Sequence, residues 1–86
     1  MKSSVEISMY PLKEDYKPSI IAFIKKLRKH PFIKVNTNGM STQVFGDYKR
    51  VMNAINTEME NTFLNSNAVV FNLKVINADL EEKPKF

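Results

Sequence analysis

The order in which two hydrophobic periodicities follow one another limits this chain's fold more than any other feature. Val5, Ile7 and Met9 alternate with Glu6, Ser8 and Tyr10, the pattern of a strand with one buried face. Pro11 ends the run, because proline cannot donate to a ladder. Leu12 to Lys17 is mostly polar and reads as a loop, and Pro18 suits the first turn of a helix, where its missing N–H is not needed. Ile20, Ile21, Phe23, Ile24 and Leu27 then recur at spacings of three and four, and Pro31 stops this amphipathic helix by His30. Ile33, Val35 and Thr37 form a second strand pattern, and Ser41 to Phe45 a third. Asn38-Gly39 between them predicts a tight hairpin, with positive φ at Gly39. Asp47 is a predicted N-cap for a second amphipathic helix carrying Tyr48, Val51, Met52, Ile55, Met59 and Phe63. Asn65, Ser66 and Asn67 break it, and Val69, Phe71, Leu73 and Val75 alternate with Val70, Asn72, Lys74 and Ile76 as a fourth strand.

The order β-α-β-β-α-β predicts an α+β, ferredoxin-like sandwich, a four-stranded antiparallel sheet with two helices on one face. Residues 1–80 make one ferredoxin-like ligand-binding domain and residues 81–86 a polar C-terminal tail, with the chain from 77 onward expected to be loose.

Absences narrow the chemistry. Eighty-six residues leave room for one modest core and none for a catalytic domain beside a cofactor domain. Without cysteine there is no disulfide framework, no thiolate nucleophile and no Cys-based metal site. His30, the single histidine, cannot make a two-histidine metal site within one chain, and Gly39 and Gly46 alone cannot build a dinucleotide or phosphate loop. No catalytic residue, cofactor or metal is therefore expected, and the protein is read as a non-enzyme. No run of about 18 apolar residues occurs, and Met1 to Glu6 has no apolar stretch of signal-peptide length. A cytoplasmic protein without membrane insertion is the expectation.

Alternation divides the sheet into two faces. One face, with Val5, Ile7, Met9, Thr42, Val44 and Phe71, belongs under the helices. The other exposes Glu6, Ser8, Tyr10, Ser41, Gln43, Phe45 and Asn72. In this fold strands one and three are central, so Ser8, Tyr10, Ser41, Gln43 and Phe45 sit mid-sheet on the open face. That mixture of hydroxyls, an amide and two rings fits a surface that packs on a partner and keeps short polar groups for a ligand. A partly wet homodimer interface is the other reading of the same residues.

Three stretches also carry a resemblance. Ser8-Met9-Tyr10-Pro11-Leu12, Met40-Ser41-Thr42-Gln43-Val44-Phe45-Gly46-Asp47 and Val69-Val70-Phe71-Asn72-Leu73-Lys74, followed by Asn77-Ala78-Asp79-Leu80, resemble the YkoF-like family. The resemblance spans about residues 4 to 80. It implies a non-enzymatic protein binding thiamine or its hydroxymethylpyrimidine half, as carrier, sensor or transport accessory. The better-known members carry two such repeats, so this single repeat implies a homodimer or homotetramer. The candidate ligand residues are Ser8, Tyr10, Ser41, Thr42, Phe45, Asn72 and Glu6. Small hydroxyls and an amide suit an aminopyrimidine, the rings of Tyr10 and Phe45 suit stacking, and the Glu6 carboxylate suits a thiazolium cation. By strict alternation Thr42 faces the helices, so Ser8 and Ser41 rank above it.

Two rivals share the topology. An RNA-binding module of RRM-like architecture would stack bases on Tyr10 and Phe45, and no acidic residue occurs from Tyr16 to Gly46. Against it, the third strand lacks the basic and aromatic run of that module, and the cluster Lys25, Lys26, Arg28 and Lys29 lies on the first helix, behind the platform. The net charge of +4 supplies only a weak non-specific attraction to nucleic acid. A small phosphatase would need an anion-cradling loop after strand one, but Lys13-Glu14-Asp15 places adjacent carboxylates there and no glycine. The same lack favours an unphosphorylated ligand over a pyrophosphate. His30 has no evident acidic partner in the sequence and reads as a helix C-terminal cation or a bystander.

Overall fold

The computed structural model describes residues 1–86. The elements are β1 (Lys2–Pro11), α1 (Lys17–Arg28), β2 (Ile33–Thr37), β3 (Thr42–Asp47), α2 (Tyr48–Leu64) and β4 (Val69–Ile76). The strands form one antiparallel sheet in the order β2-β3-β1-β4, the ferredoxin-like α+β arrangement that the periodicities predict. Val5, Ile7 and Met9 of β1 and Val44 of β3 are buried beneath Phe23 and Leu27 of α1 and Val51, Ala54 and Ile55 of α2. Burying side chains of this size contributes about 1.5–3 kcal/mol each, which is why two central strands and two helix stripes suffice to hold so small a domain. Phe71 extends the core toward β4, with its ring 5.0 Å from Phe23 and edge-on to Phe63 at 5.4 Å.

β1 starts at Lys2, earlier than the apolar alternation. Its first residues pair with Asp47, Gly46 and Phe45 of β3. Ser3 and Ser4 are buried there, and being polar they leave no trace in a hydrophobic pattern. The Ser3 hydroxyl donates to the Gly46 carbonyl at 3.2 Å.

Some expectations need correction. The β2–β3 hairpin has no left-handed residue at Asn38 or Gly39. The Asn38 side-chain oxygen accepts from the amides of Met40 (2.8 Å) and Ser41 (3.1 Å), so a side chain closes the turn and Gly39 needs no special conformation. The glycine that does is Gly46, with φ of +152°, where a Cβ would lie 3.1 Å from the Phe32 carbonyl. Asp47 occupies the N-cap position of α2, as the sequence predicts, and its side chain also accepts from the N-terminal ammonium at 3.2 Å, because β1 brings Met1 alongside. Residues 77–81 are not loose: the Ser4 hydroxyl donates to the Ala78 carbonyl at 2.7 Å and accepts from the Leu80 amide at 2.9 Å, and Lys34 pairs with Glu81 at 2.6 Å. This strap crosses the open face of the sheet from β4 to β2.

His30 is no bystander. Its Nε2 lies 2.6 Å from Glu58 Oε2 of α2, and Glu58 is buried. The pair ties the C-terminal end of α1 to the middle of α2. Distance in sequence hides it, because 28 residues separate the partners. Phe32, in the turn that follows, is the one non-glycine residue with positive φ, and Arg50 stacks over its exposed ring at 4.2 Å.

Candidate functional site

Unequal strand lengths create a cavity at the end of the sheet. β1 pairs with β4 along Ser4 to Pro11, but its ladder with β3 ends at Ile7 opposite Thr42, where the hairpin turns away. Ser8 to Pro11 therefore have a partner on one side and an opening on the other. The opening leads into a cavity of about 530 Å³ at the end of the sheet. Tyr16, Ile20, Phe23 and Ile24 at the start of α1 form its roof. Thr37 to Thr42 form the wall opposite β1, and Leu12 closes one corner.

Sixteen residues line this space, and none is Asp, Glu, Lys, Arg or His. The apolar side chains come from the helix face of β1, from α1, and from Leu12 and Met40 in the loops beside them. The polar ones are Ser8, Ser41, Thr37, Thr42, Asn38 and the phenols of Tyr10 and Tyr16. An uncharged lining of this kind suits a neutral, flat ligand with a few hydrogen-bonding edges. Tyr10 and Met40, 52% and 89% exposed, stand where ring and thioether surface is open to solvent.

Of the residues singled out by sequence, Ser8, Tyr10, Ser41 and Thr42 come together at this cavity. Thr42 does face the helix side, is buried, and shares a 2.9 Å hydrogen bond with the Thr37 hydroxyl. It joins Ser8 and Ser41 because the cavity lies off the end of the sheet, where both faces meet. Glu6 and Phe45 lie apart, at a second cavity of about 230 Å³ on the open face, together with Ser4, Lys74, Ile76 and Leu80. Phe45 is only 9% exposed, because the strap from Asn77 to Glu81 passes over that end of the face. Asn72, opposite Ser8 on β4, is exposed and lines neither cavity.

A polar relay connects the two regions. The Ser41 hydroxyl donates to Glu6 Oε2 at 2.9 Å and accepts from Gln43 Nε2 at 2.9 Å, while Lys74 Nζ stands 3.5 Å from Glu6 Oε1. The bond from Ser41, and next the Lys74 charge, hold the Glu6 carboxyl below the ordinary carboxylate range. Glu6 is thus satisfied within the sheet.

Sequence reasoning passed over Leu12, Tyr16, Ile20, Phe23, Ile24 and Asn38. The apolar members read as core and Asn38 as a turn residue. The usable signal was the length mismatch: β1 carries polar-apolar alternation through Tyr10, whereas the stretch after Gly39 is too short to match it.

No family model and no curated protein matches the sequence. Solved structures do. A hypothetical protein from Methanocaldococcus jannascii superposes with a TM-score of 0.77 at 24% identity, over 98% of this chain and 88% of that one. A Thermotoga maritima protein, provisionally named for thiamine biosynthesis/salvage, gives 0.77 at 21% identity over 87% and 82%. A domain of unknown function, DUF77, from Bacillus cereus gives 0.74 at 9% identity over 99% and 84%. At these identities the likeness is one of fold, and it extends over nearly the whole of each chain.

Proposed function

We propose that the protein is a non-enzymatic binding protein for a small uncharged heterocycle, the hydroxymethylpyrimidine half of thiamine, free or as part of thiamine. The observation that carries this reading is the cavity of about 530 Å³ with no charged side chain in its lining. Its size falls within the range of about 300–1,000 Å³ usual for small-molecule sites. Nothing in the lining would neutralise a pyrophosphate, which argues for the unphosphorylated compound. No carboxylate lines it either, so a thiazolium belongs at the mouth, near the loop between Leu12 and Tyr16 that carries Glu14 and Asp15. The sequence resemblance and the name of the Thermotoga neighbour point to the same ligand class. The exposed Val70, Val75 and Ile76 of β4, whose outer edge is free, are where a second copy of the chain would supply the missing repeat.

Isothermal calorimetry with hydroxymethylpyrimidine, thiamine, thiamine monophosphate and thiamine pyrophosphate tests the proposal. The first two should bind and the pyrophosphate should not. Ser8→Ala should weaken binding by roughly two- to tenfold, from the loss of about 0.5–1.5 kcal/mol for a neutral hydrogen bond. Ser41→Ala should act less directly, because its hydroxyl is engaged by Glu6 and Gln43. No heat with any of the four compounds, in a protein shown to be folded, would refute the reading.

A further inference from the structure

The ladder of hydrogen bonds on β1 leaves both the N–H and the C=O of Met9 unaccounted for. Residues along a strand alternate the side to which their N–H and C=O point. Leu12 donates to Ala68 on the β4 side at 3.0 Å, and Met1 accepts from Tyr48 on the β3 side at 2.8 Å. Even-numbered residues of β1 therefore bond to β4, and odd-numbered ones to β3. Ser3, Val5 and Ile7 meet Gly46, Val44 and Thr42 in this way. The next odd residue, Met9, has no partner. In register it would meet Met40, but the hairpin has turned, and the Met40 amide is bonded to the Asn38 side chain at 2.8 Å. Pro11, the odd residue after it, has no N–H to leave open.

Met9 is buried, at 8% exposure, and it lines the cavity. No buried side-chain polar atom in the protein lacks a partner. A peptide N–H and C=O that face a cavity with no strand partner are free to bond to whatever fills it. We propose that the Met9 N–H and C=O read the ligand. The N–H donates to a ring nitrogen and the C=O accepts from an adjacent exocyclic amine, with the heterocycle lying in the plane of the sheet where β3 would otherwise continue. The class of ligand that satisfies both groups is an uncharged heterocycle with an amidine-type edge, an acceptor nitrogen beside an N–H donor. A 4-aminopyrimidine has that edge, and so does adenine. The inference rests on the proposed function, because it assigns the contact that selects the ligand in that cavity.

The test edits the ligand and watches one amide. The probes are 4-amino-5-hydroxymethyl-2-methylpyrimidine, its analogue lacking the 4-amino group, its 4-dimethylamino analogue, and adenine. The amino compound should bind at least tenfold more tightly than the other two pyrimidines, because each of those leaves the Met9 carbonyl buried and unpaired. In ¹⁵N-labelled protein the Met9 amide resonance should move on binding, and its hydrogen exchange should slow. Adenine, with the same edge on a larger ring, should shift the same amide. Equal affinity across the three pyrimidines, or a Met9 amide that stays unmoved while neighbouring cavity resonances shift, would overturn the assignment and leave the binding function standing. Absence of binding by every probe would remove both.

Discussion

Replacing either glycine by alanine separates two accounts of how the chain turns. In Gly46→Ala the backbone must hold φ of +152° with a Cβ attached, and that Cβ would sit 3.1 Å from the Phe32 carbonyl and 3.3 Å from Val51 Cγ2. A residue held in such a region costs about 1–3 kcal/mol. The close approach adds strain, since Val51 is fully buried and the Phe32 carbonyl belongs to the backbone. Against these stands about 0.4–1 kcal/mol from the lower entropy of the unfolded chain. The net expectation is a loss of about 2 kcal/mol. For a domain of this size that lowers the melting temperature by roughly 8–16 °C. In Gly39→Ala the new Cβ meets nothing within 4 Å and the backbone is not left-handed. The unfolded-state term then dominates, and stability should be unchanged or up to about 1 kcal/mol higher. Urea denaturation followed by circular dichroism measures both, with the midpoint shift read at constant slope. A Gly46 variant within about 0.5 kcal/mol of the parent, or a Gly39 variant destabilised as strongly as the Gly46 one, would refute the assignment of the strained turn.

Two further outcomes follow from the strap and from the carboxylates. Ser4→Ala removes the donor to Ala78 and the acceptor for Leu80, so it should cost about 1–3 kcal/mol and accelerate hydrogen exchange at Leu80; unchanged exchange there would mean that the strap is held by other contacts. Glu6 is held below its ordinary range by Ser41 and Lys74, and Asp47 chiefly by the N-terminal ammonium. A carboxyl with a lowered folded-state pKa contributes stability that is present above its unfolded value and lost as pH falls through the folded one. Stability should therefore decline below the ordinary carboxylate range, and the Glu6→Gln, Asp47→Asn double variant should show a shallower decline. An identical acid limb in parent and double variant would contradict the assignment. Both groups are exposed enough for salt to weaken the effect.

The architecture was legible in the sequence because it depends on periodicity. Val5, Ile7 and Met9 alternate as only a one-faced strand does, and Phe23, Leu27, Val51 and Ile55 repeat as helices do. Once six such segments stand in that order, few antiparallel pairings bury all their apolar faces. The face of each strand residue followed from the same rule, and Thr42 lies on the helix side as its parity demands. What periodicity carries no information about is where strands stop relative to one another and which polar groups meet across the chain. The cavity exists because β3 ends beside Ile7 while β1 runs on to Pro11, a register fact set by the hairpin and by the Asn38 side chain. Ser4 holding residues 78 and 80, His30 meeting Glu58, and Gly46 making room for the Phe32 carbonyl are all contacts between segments distant in sequence. The sequence by itself determined the layers and their faces, because local spacing encodes which side of an element is apolar. Only the tertiary structure decided the site, because an unpaired strand edge and its enclosing walls arise when separate elements of unequal length are packed together.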